Sequence, residues 1–133
     1  MPYTLIDHTA DLGMRVSAPT VIALFEEAAL ALVDIMGGRS SLGTTRLTIE
    51  VQGIDRVDLL VRWLQEILYL VEVRGLRIRG FEILDLKDTE LRAQAEGAYS
   101  GEPLEAEIKA VTYHNLQIRE IDNAWAATII LDT

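Results

Sequence analysis

The sequence predicts an α/β fold of the mixed α+β kind, in which two helices pack on one face of a mixed, largely antiparallel sheet. Two segments have apolar residues at helical spacing, and each follows a segment of alternating apolar and polar residues. The second half of the chain holds alternating segments only, so the predicted order is β-α-β-α-β-β-β-β. With 133 residues, half of them apolar, the chain is predicted to form a single domain over residues 1–133.

The first predicted strand runs from Tyr3 to Val16, because apolar and polar residues alternate along it. On such an extended strand Asp7 and Asp11 share one face but lie about 13 Å apart, so they cannot bind one ion unless the strand bends sharply. His8 falls on the apolar face. It is interpreted as a hydrogen-bonded core histidine, with metal ligation as the alternative.

Each predicted helix has a capping residue at its start and a glycine near its end. Thr20 caps the first helix, which Gly37 and Gly38 stop. Asp55 caps the second helix, which ends near Gly75. Between the two helices, the stretch "TRLTIEVQG" alternates and is predicted to be a strand. The buried helix stripes are Leu24, Phe25, Ala28, Leu32, Ile35 and Met36 in the first and Leu60, Trp63, Leu64, Ile67, Leu68 and Val71 in the second.

The late strands contain one change of phase and one long alternation. The apolar positions change face near Gly80, which predicts a bulge or bend there. Arg77 and Arg79 are predicted to lie on a solvent face. The stretch "LEAEIKAVTYHNLQI" alternates throughout, so Thr112 and His114 are predicted to point inward. We interpret them as a buried hydrogen-bonding network, with a histidine at the edge of a cleft as the alternative.

The composition excludes several functional classes. Twenty-one acidic residues against twelve lysines and arginines give a net charge of −9, and no basic cluster is present to bind nucleic acid strongly. No apolar run approaches the ~20 residues of a membrane span, and no signal peptide is apparent. The chain has no cysteine, which suits a cytoplasmic protein. No nucleotide-binding or hydrolase motif is present, so an enzyme acting alone is not expected.

The last residues, "TIILDT", are the candidate metal ligands. They place the Asp132 side chain beside the α-carboxylate of Thr133, at the end of a strand that is apolar on both faces and therefore predicted to be central. If this strand pairs beside the first, Asp11 completes a cluster of three carboxylates. Oxygen ligands without sulfur favour Ca²⁺, Mg²⁺ or Mn²⁺ over zinc. The alternative is a solvated tail without a metal.

Three stretches together resemble the archease family of protein activators. They are "DHTADLGM" at the start, "EIKAVTYHNLQI" in the late strands, and the ending "LDT" after apolar residues. The stretches "LLVRWLQEILYLVE" and "RGLRI" are also similar, so the resemblance covers nearly the whole chain. One departure is the loop "YSGEPLEAEIK", which is shorter than in many relatives.

The resemblance implies a non-catalytic role beside an enzyme of tRNA splicing. The family promotes guanylylation of the active-site histidine of the RtcB-type tRNA-splicing RNA ligase by GTP, and supports its multiple turnover. It also implies a divalent-metal site at Asp11, Asp132 and Thr133, with Ca²⁺ the first expectation and Mg²⁺ or Mn²⁺ the alternatives. Asp7 is peripheral to that site.

Two rival functions remain open on the sequence. One is a chaperone-like binding module that alters the specificity or oligomerisation of a tRNA methyltransferase or another RNA-modifying enzyme. The other is a metal-dependent hydrolase acting alone, which is the weaker hypothesis because the sequence offers no evident nucleophile or positioned general base.

Overall fold

The computed structural model describes residues 3–8 and 11–133, with the backbone alone at Asp7 and His8. Its elements in chain order are β1 (Tyr3–His8), β2 (Asp11–Ala18), α1 (Val21–Met36), β3 (Thr45–Gln52), α2 (Arg56–Glu72), β4 (Leu76–Leu86), β5 (Glu90–Tyr99), β6 (Ala110–Val111), β7 (Gln117–Ile121) and β8 (Ala124–Asp132).

The predicted fold class is confirmed: in the described part of the chain, two helices pack with sheets whose strands pair antiparallel. The strands divide between two sheets, a detail that the prediction lacked. The first sheet has the order β1-β2-β8-β6, with β7 also paired to β8, and the second has the order β3-β5-β4. The division arises because β3 pairs with β5 and not with the first or last strand.

The alternating segment from Tyr3 to Val16 forms a hairpin and not the predicted single strand. β1 and β2 pair antiparallel, with Tyr3 opposite Val16 and His8 opposite Asp11. Alternation could not reveal this, because a hairpin keeps the period of two residues on both of its strands. The 13 Å separation expected along one strand therefore does not apply to Asp7 and Asp11. The predicted positions of Thr9 and Ala10 lie outside the described residues.

The predicted helix ends are confirmed. Thr20 Oγ1 accepts a hydrogen bond from Ala23 N at 3.1 Å at the start of α1, and Gly37 ends that helix in the left-handed region with a φ of 73°. Asp55 caps α2 by accepting from Asp58 N at 2.8 Å. These signals were readable because a cap depends on residues within one turn of itself.

A tryptophan joins both helices to the second sheet. Trp63 of α2 is fully buried, and its Nε1 donates to the carbonyl oxygen of Phe25 in α1 at 2.9 Å. Its ring meets Phe81 of β4 edge to face, with centroids 5.5 Å apart. Among the described residues the buried apolar side chains of both helices and both sheets form one core cluster.

The start of β4 departs from one prediction and confirms another. A change of register between Ile78 and Gly80 confirms the predicted irregularity near Gly80. Arg79 is exposed as predicted, but Arg77 is buried, with 8 % of its surface accessible. Its guanidinium donates to the carbonyl oxygens of Val71 at 3.1 Å and Glu102 at 2.5 Å. Carbonyl groups in the last turn of a helix have no hydrogen-bond donor within the helix. Arg77 supplies such a donor to the Val71 carbonyl at the end of α2.

Candidate functional site

The pairing of β2 with β8 brings together the two acidic residues that the sequence singled out. The registered pairs run from Ala18 opposite Trp125 to Leu12 opposite Leu131. The next residue on each strand is Asp11 in β2 and Asp132 in β8, so the two acidic residues lie at the same end of this strand pair, one residue beyond its last registered pair. The expectation that the last strand pairs beside the start of the chain is therefore confirmed, although its partner is the second strand of a hairpin.

The geometry of this pair suits a shared cation. Residues directly opposite each other in an antiparallel pair have Cβ atoms about 4.5–5.5 Å apart and point to the same face of the sheet. Asp11 is half-buried and Asp132 is exposed. Among the described residues, neither carboxylate is part of an ion pair. Two carboxylates at one end of a strand pair are hard oxygen donors, so the donor set fits a divalent ion such as Ca²⁺ or Mg²⁺.

The ligand set would be completed by oxygens other than side-chain carboxylates. Within residues 3–8 and 11–133, no three histidine, cysteine, aspartate or glutamate side chains come together as a metal cluster. The main-chain oxygen of Asp132 already accepts from Lys109 N at 2.7 Å. Thr133 is the next residue along the chain and is exposed; its role as a ligand stays a prediction.

The interpretations of the Asp7 and His8 side chains fall outside what the structure describes. The backbone register alone places His8 opposite Asp11 and Asp7 opposite Leu12. The end of β1 thus lies beside Asp11, and the stretch "DHTADLGM" supplies Asp11 to this end of the sheet.

The stretch "VTYHN" forms a turn where the sequence predicted a long strand. The predicted strand pairs with β8 only at Ala110–Val111 in β6 and again from Gln117 in β7. Between them Asn115 has a φ of 52°, which ends the extended conformation. Thr112 is half-buried, with its hydroxyl donating to the Ile130 carbonyl oxygen at 3.0 Å. His114 is exposed and not inward-facing. Its backbone N–H donates to the Thr112 hydroxyl at 3.3 Å, so the inward network that was predicted is a local turn.

A second cluster, which the sequence analysis missed, ties this turn to α2. Asp58 lies in the first turn of α2 with 8 % of its side chain exposed. Its Oδ1 accepts from the Tyr113 hydroxyl at 2.5 Å, and its Oδ2 accepts from Ile54 N and Arg62 Nε, each at 2.9 Å. The signal that could have found it is an acidic residue three positions after the Asp55 cap, as in a capping box.

The contacts within this cluster shift two pKa values in opposite directions. The Tyr113 hydroxyl, the Ile54 backbone N–H and Arg62 stabilise the ionised carboxylate, so the pKa of Asp58 lies below its ordinary value, although burial opposes the shift. The hydrogen bond to Asp58, together with burial, raises the pKa of Tyr113. At neutral pH the pair is therefore a carboxylate and a neutral phenol, and its role is to position the turn.

Comparisons with known proteins agree on one family. The model of the Archease protein family matches residues 3–133. Protein archease of Methanopyrus kandleri is 37% identical over 140 residues, covering 99% of this chain and 99% of the relative. Protein archease of Pyrococcus furiosus is 38% identical over 135 residues, covering 95% and 94%.

Solved structures share the fold. The solution structure of Methanobacterium thermoautotrophicum protein 1598 matches with a TM-score of 0.75 and 28% identity, over 99% of both chains. The crystal structure of an archease from Thermotoga maritima, described as a possible chaperone, has a TM-score of 0.68 over 96% of this chain and 94% of its own. At 22% identity, that second likeness supports the fold alone.

In the described part of the chain, neither helix is both long and apolar enough to cross a membrane.

Proposed function

Because this chain belongs to the archease family, we propose that it is a non-catalytic protein cofactor that activates an RtcB-type tRNA-splicing RNA ligase. It promotes guanylylation of the active-site histidine of the ligase and so sustains multiple turnover, and it acts in the cytoplasm. The observation that supports the proposal is the antiparallel pairing of β2 with β8, which brings Asp11 and Asp132 to the same end of the first sheet.

The proposed site holds a divalent cation between Asp11, Asp132 and Thr133. Ca²⁺ is the first expectation, because it accepts irregular sets of oxygen ligands, and Mg²⁺ or Mn²⁺ are the alternatives. When bound, the cation would supply positive charge that can neutralise a triphosphate or accept ligands from the partner. The two carboxylates hold it at the rim of the sheet, where a partner can reach the remaining coordination positions.

The charge of the chain supports docking on a basic enzyme. A net charge of −9 repels nucleic acid at long range but attracts an RNA-binding protein, and complementary charge chiefly raises the rate of encounter. We therefore propose that the chain acts in RNA processing by binding a protein partner, and that it does not itself bind nucleic acid strongly.

The experiment that tests this function is multiple-turnover RNA ligation by the cognate ligase. Wild-type protein is compared with Asp11→Asn and Asp132→Asn, each of which removes one charge and preserves shape. Glu50→Gln is the matched control, because Glu50 is an exposed strand residue of the second sheet. We expect stimulation by the wild type and the control, and its loss in both aspartate variants.

The other outcomes separate the partner from the mechanism. Equal stimulation by all four proteins would keep the ligase as partner and remove the carboxylate pair from the mechanism. If none of them stimulated ligation, the proposed partner would be wrong. The second candidate is a chaperone-like module acting on a tRNA methyltransferase or another RNA-modifying enzyme; the Thermotoga maritima protein of the same fold is described as a possible chaperone. This second candidate predicts that the chain stimulates a partner other than the ligase, and that the stimulation survives loss of the Asp11 and Asp132 carboxylates.

A further inference from the structure

A small concavity lies on the outer face of the first sheet, away from the core. It has a volume of about 250 Å³, and its side chains come from three strands and the turn before β7. Arg15 of β2 pairs in register with Thr128 of β8, and Thr128 pairs with Gln117 of β7. These three residues form a row across the sheet, and Arg119 lies in the next row, opposite Ala126.

The chemistry of this concavity is unlike that of the rest of the chain. Its lining contains the guanidinium groups of Arg15 and Arg119, the amides of Asn115 and Gln117 and the hydroxyl of Thr128, and no carboxylate. Both arginines are exposed, and among the described residues neither guanidinium group makes a hydrogen bond or an ion pair. By contrast, Arg46 and Arg79, which line another concavity of similar size, both pair with Glu96.

The two arginines stand on opposite sides of β8. Neighbouring strands lie about 4.8 Å apart, so the backbones of β2 and β7 are separated by roughly 9.6 Å. Two long side chains from these strands can therefore reach one small anion above Thr128. Arginine binds phosphate oxygens through two parallel N–H donors, and amide and hydroxyl groups can donate to the oxygens that remain.

We propose that this concavity is a binding site for a phosphate or diphosphate group. Its volume of about 250 Å³ is below the ~300–1,000 Å³ of sites that enclose a whole drug-sized ligand, so it fits the phosphate moiety and leaves any larger part of the ligand outside. The net charge of −9 favours a small anion over a long polyanion, because repulsion grows with the number of phosphates brought near the surface.

The site is separate from the carboxylate pair on the same sheet. Arg15 lies four residues along β2 from Asp11, which is about 13 Å on an extended strand. Arg15 and Asp11 are thus too far apart along the strand to form an ion pair. The proposal does not depend on the ligase or on a metal.

The test is a titration with inorganic pyrophosphate followed by amide chemical shifts, in EDTA so that no metal bridges the ligand. We expect saturable shifts at Arg15, Gln117, Arg119 and Thr128. Arg15→Gln and Arg119→Gln should each weaken binding by about tenfold or more, as loss of a charge-assisted hydrogen bond predicts. Arg92→Gln is the matched control, since Arg92 is an exposed strand arginine of the second sheet that makes no ion pair with any residue the structure describes.

Further arms identify the source of the phosphate and the limits of the proposal. Tighter binding of ATP than of pyrophosphate, with the same arginine dependence, would assign the phosphate group to a nucleotide, whereas tighter pyrophosphate binding would assign it to the free anion. Shifts that fall elsewhere, or an equal effect of Arg92→Gln and Arg119→Gln, would overturn the site. Stronger binding of a short single-stranded RNA than of either probe would overturn the assignment to a small ligand.

Discussion

The Tyr113 hydroxyl donates a 2.5 Å hydrogen bond to Oδ1 of Asp58, which joins the turn after β6 to the first turn of α2. The two residues are 55 positions apart. The other carboxylate oxygen of Asp58 holds Ile54 N and Arg62 Nε. One buried carboxylate therefore satisfies a helix start and also fixes a turn next to β8, the strand that carries Asp132.

Replacement Tyr113→Phe should destabilise the protein and loosen the turn while leaving α2 in place. The ring stays, but Asp58 loses one of its three donors, and a buried acceptor that loses its partner destabilises the fold. Urea unfolding should show a lower midpoint with an unchanged slope. Tyr69→Phe is the control, because Tyr69 is an exposed tyrosine of α2, the helix that carries Asp58. An equal midpoint for both variants would contradict the role of the Tyr113 hydroxyl.

The Asp58–Tyr113 pair predicts that the free energy of unfolding is highest around neutral pH and falls at both acid and alkaline pH. The folded pKa of Asp58 lies below its unfolded value of 3.8, so its contribution is present above that pH and is lost as pH falls through the folded pKa. The folded pKa of Tyr113 lies above 10.0, so its contribution is present below pH 10 and is lost as pH rises through the folded pKa. Urea unfolding from pH 2 to 11 should show both losses in the wild type.

Asp58→Asn is the variant that isolates this pH dependence. The difference between its free energy of unfolding and that of the wild type should be constant through neutral pH and shrink at both extremes. A difference that stays constant down to pH 2 would show that Asp58 titrates normally in the folded protein.

Replacement Trp63→Ala should be far more damaging than Tyr113→Phe. Trp63 is fully buried between both helices and β4, and truncation of a core tryptophan costs about 3–5 kcal/mol. Trp63→Phe should cost less, because it keeps most of the packing and removes the hydrogen bond to Phe25 O. The two free energies of unfolding, measured in urea by far-UV circular dichroism, check the order; a larger loss for the phenylalanine variant would contradict it.

Calcium should stabilise the folded chain through the proposed carboxylate site. A ligand that binds only the folded state at 100 times its dissociation constant adds about 2.7 kcal/mol, so the melting temperature should rise with added Ca²⁺ and fall back with EDTA. Asp132→Asn should abolish the rise, whereas Glu50→Gln should keep it. A rise of the same size in Asp132→Asn would place the metal elsewhere.

Local features of the fold could be predicted well from the sequence. The caps at Thr20 and Asp55 and the end of α1 at Gly37 were correct, because each depends on hydrogen bonds within a few residues. The irregularity near Gly80 was also correct, since the apolar face changes there. The burial of Arg77 was not predicted, because a residue can lie on the polar phase of a strand and still be covered by the end of a helix.

The late stretch shows where periodicity misleads. The alternation through "LEAEIKAVTYHNLQI" predicted one long strand, but the turn at Asn115 interrupts it. Tyr113 and Asp58 then meet across the fold. Neither residue is unusual in its local sequence, and only the packing of the turn on α2 makes Asp58 a shared acceptor.

The helices with their caps, the acidic character and the family could all be inferred from the amino-acid sequence alone. Local hydrogen bonds and side-chain periodicity are sufficient for these features. The fold adds which segments lie together: the ends of β2 and β8 that carry Asp11 and Asp132, Tyr113 against Asp58, and Arg15 and Arg119 on either side of β8. Such contacts depend on strand register and on which hairpin pairs with which strand, and those are set by the burial of the whole core and not by any short segment.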